Sequence, residues 1–365
     1  MKNFIPISKP SITQLEIDYV TDAVKSTWVS SLGPYIDKFE REFAEFCGTK
    51  HAIAVSNGTV ALHLVLHSYG IGPNDEVIMP NLSFIATANS VLYTGAKPIF
   101  SDIDPSNLCM DPSDIEHRIT AKTKAIMPVH LYGHPADMNK INTIAKKHNL
   151  LVIEDAAEAH GASIESSRVG SLGDCATFSF YGNKNMTTGE GGMITTNNYK
   201  LAKRCRYLRD HAMSKEKRYW HTEMGFNYRM TNIQAALGCA QLERIEELML
   251  ERQRIFKLYE DNLADFGGVK LNRTESWATN SYWLVCAEIE GLVEKDRDEL
   301  MTKFKKYNID TRPYFYPMTQ MPYIESVSDT PVTFKVYERG INLPSYIDLT
   351  EKEIEYICNT LKFMI

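Results

Sequence analysis

The sequence predicts an α/β chain: a mostly parallel central sheet with helices on both faces, followed by a smaller C-terminal α+β unit. Three observations lead there. Short β-branched runs alternate with stretches of helical periodicity through the first half. The 365 residues, 44% hydrophobic, can bury a large core and suggest two domains. From about residue 251 the pattern changes style, which sets the expected division at 1–250, with the N-terminal segment, and 251–365.

Taken in order, Ser11 reads as the N-cap of a helix over 12–26, and Ile36, Phe39, Phe43 and Phe46 mark the apolar face of a second. The loop 26–35 between them is rich in aromatic and hydroxyl groups; its Trp28 either faces a substrate or packs in the core. Buried strands are expected at 52–55, 76–79, 98–100, 125–129 and 150–153, and helices at 59–69, 83–93, 112–118 and 137–148. Strand character returns across 174–196 on both sides of Lys184, and helix at 202–211. One long amphipathic helix is expected from Thr231 to about residue 265, bridging to the second unit. There a strand at 282–288 and a helix at 296–306 precede the loop 311–317.

Bulk properties narrow the function. The formal charge is −6 with the two signs interleaved, which argues against a cationic face for nucleic acid. Seven scattered cysteines form no CxxC pair, as expected of reduced thiols in a cytoplasmic protein. The N-terminus lacks an apolar signal core, and no run approaches the roughly 18 apolar residues of a membrane span.

In a parallel sheet ligands gather at the carboxyl ends of the strands, so the residues just after each strand carry the functional signal. After the first stands Ser56-Asn57-Gly58-Thr59, a helix start that could bind phosphate or serve as an ordinary cap. After the second, Phe84 offers an aromatic face. After the fifth comes Glu154-Asp155-Ala156-Ala157-Glu158, where a carboxylate could meet a cationic ring nitrogen or cap a helix. Then Phe178-Ser179-Phe180-Tyr181-Gly182-Asn183-Lys184 stops an apolar run at one lysine, before the glycines 189, 191 and 192. Partial burial there would lower the amine's pKa and favour bonding to a carbonyl; a solvated loop lysine is the alternative. Together these are the parts that pyridoxal 5'-phosphate requires. Lys184 would bond to its aldehyde, and Gly58, Thr59 and Ser179 would take the phosphate. Asp155 would keep the pyridine nitrogen protonated, while Phe84 could stack on the ring. Once displaced, the Lys184 amine could carry a proton between substrate and cofactor.

The ordered set Ser56–Thr59, Glu154–Glu158, Ser179–Lys184 with Gly189-Glu190-Gly191-Gly192, and Gly225-Phe226-Asn227-Tyr228-Arg229-Met230 resembles the DegT/DnrJ/EryC1/StrS family of nucleotide-sugar aminotransferases over nearly the whole chain. Further stretches, among them 26–31, 130–134, 218–221 and 339–345, are most similar to the branch of that family that makes GDP-perosamine. The resemblance implies fold type I of the pyridoxal phosphate enzymes, a homodimer with shared active sites and glutamate as amino donor. It also implies GDP-4-keto-6-deoxymannose as the acceptor, aminated at C4. By position it assigns Lys184, Asp155, Ser179, Gly58, Thr59 and Phe84 the roles just given, puts Glu158 beside the cofactor ring, and has Asn227 reach the phosphate of the neighbouring subunit. Lys184 stands where some members carry histidine and dehydrate the sugar instead. Thr319 stands where this branch leads one to expect histidine.

Other signals are weaker. His63 and His67 share one side of a helix without an evident third metal ligand. Arg229 and Arg312 could grip a carboxylate or pyrophosphate of the substrate by a bidentate fork, or form ordinary salt bridges. A UDP- or dTDP-linked keto sugar would suit the same chemistry, and a cofactor-binding regulatory protein without turnover is a further alternative. A dinucleotide oxidoreductase would need a GxGxxG turn after the first strand, which Ser56–Thr59 does not supply.

Overall fold

The computed structural model describes residues 3–325 and 328–365. Helices α1 (Gln14–Lys25) and α2 (Pro34–Cys47) come first. The cap of α1 is Thr13 rather than Ser11, because Glu16 lies three residues on and returns a 2.7 Å bond to the Thr13 amide. Proline at the first position of α2 and Gly48 in the left-handed region after it bound the second helix.

The alternating half follows as β1 (His51–Val55), α3 (Gly58–Ser68), β2 (Glu76–Pro80), α4 (Ala86–Tyr93), β3 (Lys97–Ser101), α5 (Pro112–Arg118), β4 (Thr123–Ile126), α6 (Met138–His148) and β5 (Leu151–Asp155). A small hairpin, β6 (Ser163–Ile164) and β7 (Ser167–Arg168), leads to β8 (Cys175–Ser179) and β9 (Gly192–Thr196). These build a seven-stranded sheet in the order β1-β9-β8-β5-β4-β2-β3. Only β9 runs against its neighbours, pairing antiparallel with both β1 and β8. The strand expected at 125–129 is shifted to Thr123–Ile126; Pro128 has no N–H to extend the ladder.

After α7 (Tyr199–Leu208), the long helix expected over 231–265 is two helices, α8 (Asn232–Glu243) and α9 (Ile245–Leu263). Arg244 leaves helical dihedrals between them (φ −99°, ψ 5°), and its guanidinium reaches Glu16 at 2.7 Å and Glu247 at 2.9 Å. The small residues of α8 admit α1 and α2 closely; a Cβ on Gly238 would lie 2.7 Å from the Phe39 ring.

The remaining elements are β10 (Val269–Leu271), β11 (Ala278–Thr279), β12 (Val285–Ile289), α10 (Glu294–Lys306), β13 (Arg312–Pro313), α11 (Pro331–Arg339), β14 (Gly340–Leu343) and α12 (Glu351–Met364). Strands β10-β12-β14-β13 form an antiparallel sheet, while β11 joins the β6–β7 hairpin. Val285, Phe304, Ile341, Leu343 and Ile357 form a core here with Tyr259 of α9 and with Ile5, whose backbone bonds to Asn308 and Asp310. Among the described residues no helix is long and apolar enough to cross a membrane.

Candidate active site

The carboxyl ends of β1, β2, β4, β5 and β8 open into a cavity of about 540 Å³. Seven of the residues singled out in the sequence line it: Gly58, Thr59, Phe84, Asp155, Glu158, Ser179 and Lys184. Close backbone approach explains part of the convergence. A Cβ on Gly58 would sit 2.8 Å from the Ser179 Cβ, so the start of α3 can meet the end of β8 only because residue 58 is glycine. Asn57 caps α3 by accepting from the Val60 amide, while the Gly58 and Thr59 amides, in the first turn, have no acceptor within the helix. Free amides at a helix start are the kind of group that suits an anion.

The two acids that end β5 divide the work of the motif. Glu154 is fully buried and turned into the protein, accepting from the Gly170, Leu172 and Gly173 amides at 2.9, 2.8 and 2.7 Å and meeting His130 at 3.0 Å. Asp155 faces the cavity, steadied by the Thr87 hydroxyl at 2.8 Å and the Ala157 amide at 3.3 Å. Burial raises its pKa against the pull of these hydrogen bonds and of Lys184. A carboxylate so placed has reason to meet a cation.

Lys184, in the loop from β8 to β9, is largely buried. Its Nζ lies 3.7 Å from Glu158 Oε1 and 3.7 Å from the centre of the Trp283 ring. Desolvation lowers its pKa, with Glu158 and Asp155 pulling the other way. Desolvation likewise raises the Glu158 carboxyl to about 7, although Lys184 and the Tyr132 amide favour its charged form. Both shifts favour a neutral amine, the form that attacks carbonyls. His160, buried against Phe178 and Phe180, is held neutral by burial and by Lys184, its pKa falling to about 3.

Four expected site residues lie outside this cavity. Trp28 is exposed on the loop before α2. Asn227 and Arg229 engage each other at 3.0 Å, and Arg229 pairs with Asp210 at 2.8 Å beside a separate small cleft. Arg312 is ion-paired with Asp310. Sequence reasoning missed Thr87, Trp283 and Phe315, which line the cavity. Thr87 could have been found as a hydroxyl in the first turn of the helix after β2, but Trp283 and Phe315 follow no strand of the large sheet. Of the histidine pair, His63 bonds the Tyr228 hydroxyl at 3.1 Å, and no cluster of three metal-ligating residues occurs among the described residues.

The sequence pattern of the DegT/DnrJ/EryC1/StrS aminotransferase family matches residues 10–362. A GDP-perosamine synthase of Caulobacter vibrioides is 47% identical over 98% of this chain and 97% of its own length. Another, from Escherichia coli O157:H7, is 46% identical over 98% of each. A putative sugar aminotransferase from Streptococcus pneumoniae, solved in its pyridoxal phosphate form, superposes with a TM-score of 0.94 at 28% identity, covering 99% of this chain and 98% of that one. DesI, solved with its TDP-sugar product, superposes with a TM-score of 0.92 at 29% identity over 100% of this chain and 93% of that one. The cavity fits that cofactor: unspent amides and the Ser179 hydroxyl suit a phosphate, a desolvated carboxylate suits a ring cation, and a buried amine suits an aldehyde. The chain belongs to the DegT/DnrJ/EryC1/StrS aminotransferase family, and pyridoxal 5'-phosphate is its cofactor.

Proposed function

We propose that the protein moves an amino group from glutamate to C4 of GDP-4-keto-6-deoxymannose, giving GDP-perosamine for a surface polysaccharide. The observation that carries this reading is 47% identity to a GDP-perosamine synthase over 98% of the chain, with the lysine, the acid and the phosphate-sized helix start converging in one cavity. When bound, the cofactor supplies an electron sink for the carbon that loses its proton. The chain's own residues do the rest. Lys184 would hold the aldehyde and, when released, move the proton at its Nζ. The Asp155 carboxylate would keep the ring nitrogen charged, and Gly58, Thr59 and Ser179 would bind the phosphate. Phe84 would cover a ring face and exclude water, and Glu158 would stand beside the Lys184 amine and share its proton.

Residues 1–250 would carry the cofactor and 251–365 form the smaller unit; the large sheet ends at Thr196 and the small one begins at Val269. Because Asn227, Arg229 and Trp28 stand outside their own chain's cavity, they are available to complete that of a second copy, as expected of a homodimer. Arg312, exposed at the start of β13, would meet the substrate only after exchanging Asp310 for it. Seven buried, unpaired cysteines suit the reducing cytoplasm.

The test is incubation of the purified protein with glutamate and, separately, GDP-, UDP- and dTDP-linked 4-keto-6-deoxy sugars. The amino sugar should form from the GDP substrate; its absence there removes this acceptor, and formation from a UDP or dTDP sugar alone reassigns it. Borohydride trapping with peptide mapping should place the cofactor on Lys184.

A further inference from the structure

Two segments far apart in sequence meet behind Lys184. Trp283 is buried in the wall of the cavity, its ring face 3.7 Å from the lysine Nζ and its Nε1 donating to the Asn183 carbonyl at 2.7 Å. It therefore touches both the amine and the backbone that carries it. Glu158 Oε1 also stands 3.7 Å from the same Nζ. One residue aligns these two partners. The Tyr132 amide donates to Glu158 Oε2 at 2.8 Å, and its carbonyl accepts from the Trp283 amide at 3.1 Å.

The backbone there is costly. Tyr132 and Tyr282 both adopt positive φ, 53° and 44°, which a side chain disfavours. Between them Gly133 approaches so closely that a Cβ would lie 2.7 Å from the Tyr282 amide. Such conformations persist where the surroundings over-determine them, and here Ser281 bonds the Gly133 carbonyl at 3.0 Å while the buried Arg252 donates to the Trp283 carbonyl at 3.3 Å. The indole is fixed by several independent contacts, and the face it presents is aimed at an amine.

We propose that Trp283 is a positioning residue for Lys184, forming with Glu158 a seat for the lysine ammonium whenever that side chain is not bonded to the cofactor, with Tyr132 setting both halves of the seat. The inference rests on Lys184 as the cofactor-bearing lysine. A lysine that takes a proton becomes an ammonium in a desolvated place, where a carboxylate and an aromatic face are what stabilise it. The seat holds the released amine near the reacting centre rather than letting it swing to solvent. The groups facing Lys184 that set its charge are Glu158, Asp155 and His160, and the last is neutral. The ring of Trp283 adds to the side of the two acids, against burial.

The test measures Lys184 itself in the full-length chain after cofactor removal. Acetic anhydride labelling across a pH series, read by peptide mass mapping, gives the midpoint at which Lys184 becomes nucleophilic. Trp283→Leu should lower that midpoint by about one unit. Trp283→Phe keeps a ring but not the N–H and should remain near the parent value. An unmoved midpoint in a Leu variant with a native unfolding curve overturns the proposal, as does an equal shift in both variants. Borohydride trapping on the reconstituted parent separates the two levels. A label on Lys184 with an unmoved midpoint sinks the seat alone, whereas no label on Lys184 sinks the cofactor reading beneath it.

Discussion

The floor and the wall of the cavity are built by different rules. The floor is made of residues at or soon after the ends of strands of the large sheet: Gly58 and Thr59 after β1, Phe84 after β2, Asp155 and Glu158 at and after the end of β5, Ser179 and Lys184 at and after the end of β8. The wall, with Trp283 and Phe315, is supplied by segments around the small antiparallel sheet and reaches the floor only by tertiary packing. Phe315 stacks on Tyr132 at 5.3 Å between ring centres, and its amide donates to the Tyr132 hydroxyl at 3.0 Å. On the proposed reading the floor would hold the groups that do chemistry, and the wall the surfaces that place them.

If that division is right, the largest effect belongs to the floor. Lys184→Ala removes the lysine of the cavity lining, and kcat/KM should fall by about 10⁴-fold or more. The unfolding curve should stay close to the parent's, because a buried, desolvated amine is being removed rather than a packed core group. An active Lys184→Ala protein would mean that the chemistry does not reside on the floor.

The neighbouring acids sharpen it. Asp155→Asn keeps the Thr87 contact but not the charge, and should cost activity by roughly 10²-fold with little change in stability. Glu154→Gln should do the reverse. It weakens a charged acceptor shared by three backbone amides, at a cost of about 2 kcal/mol measured by denaturant unfolding, and leaves turnover of the folded protein nearly intact. Adjacent residues on one strand would then separate catalysis from folding.

How far each half could be read from the sequence follows from the same contrast. The floor was legible because strand periodicity locates strand ends, and strand ends share one rim; Lys184, Asp155 and Gly58 needed no knowledge of long-range packing. The wall was not, since nothing local in Trp283 says that a left-handed turn at Tyr132 will carry its indole to Lys184. The sequence also hid the break at Arg244: the apolar stripe runs on through it, while the cause is a partner in α1, Glu16. Trp28, Asn227, Arg229 and Arg312 were chosen for chemistry, and their own chain leaves them outside the cavity.

Glu158 links floor and wall, and its titration offers a further test. Its folded pKa of about 7 stands above the ordinary carboxyl value of about 4.5, so in the cofactor-free chain its protonated form contributes stability that is full below about pH 4.5 and is lost as pH rises through about 7. Glu158→Gln abolishes this dependence. Relative to the parent, the variant should gain up to roughly 3 kcal/mol between those pH values and then level off, read by denaturant unfolding in a pH series. A parent that instead gains on the variant as pH rises would mean that the Lys184 ion pair outweighs the desolvation.

The smallest effect is expected at Thr319, where the resemblance calls for histidine. Its hydroxyl and amide are both spent on Asn81, a fully buried residue just after β2: Asn81 Nδ2 donates to Thr319 Oγ1 at 2.9 Å and to Thr330 Oγ1 at 2.8 Å, and Asn81 Oδ1 accepts from the Thr319 amide at 3.0 Å. Thr319 is therefore the pin that ties the loop carrying Phe315 to the rim of the large sheet, and it does not line the cavity. Thr319→Val removes one hydrogen bond while the amide and Thr330 still satisfy the rest of Asn81. The expected cost is about 1 kcal/mol of stability, with KM for the keto sugar within roughly 2-fold of the parent. A large rise in KM without loss of stability would show that the hydroxyl serves the substrate after all, and would move this residue from the support of the wall to its surface.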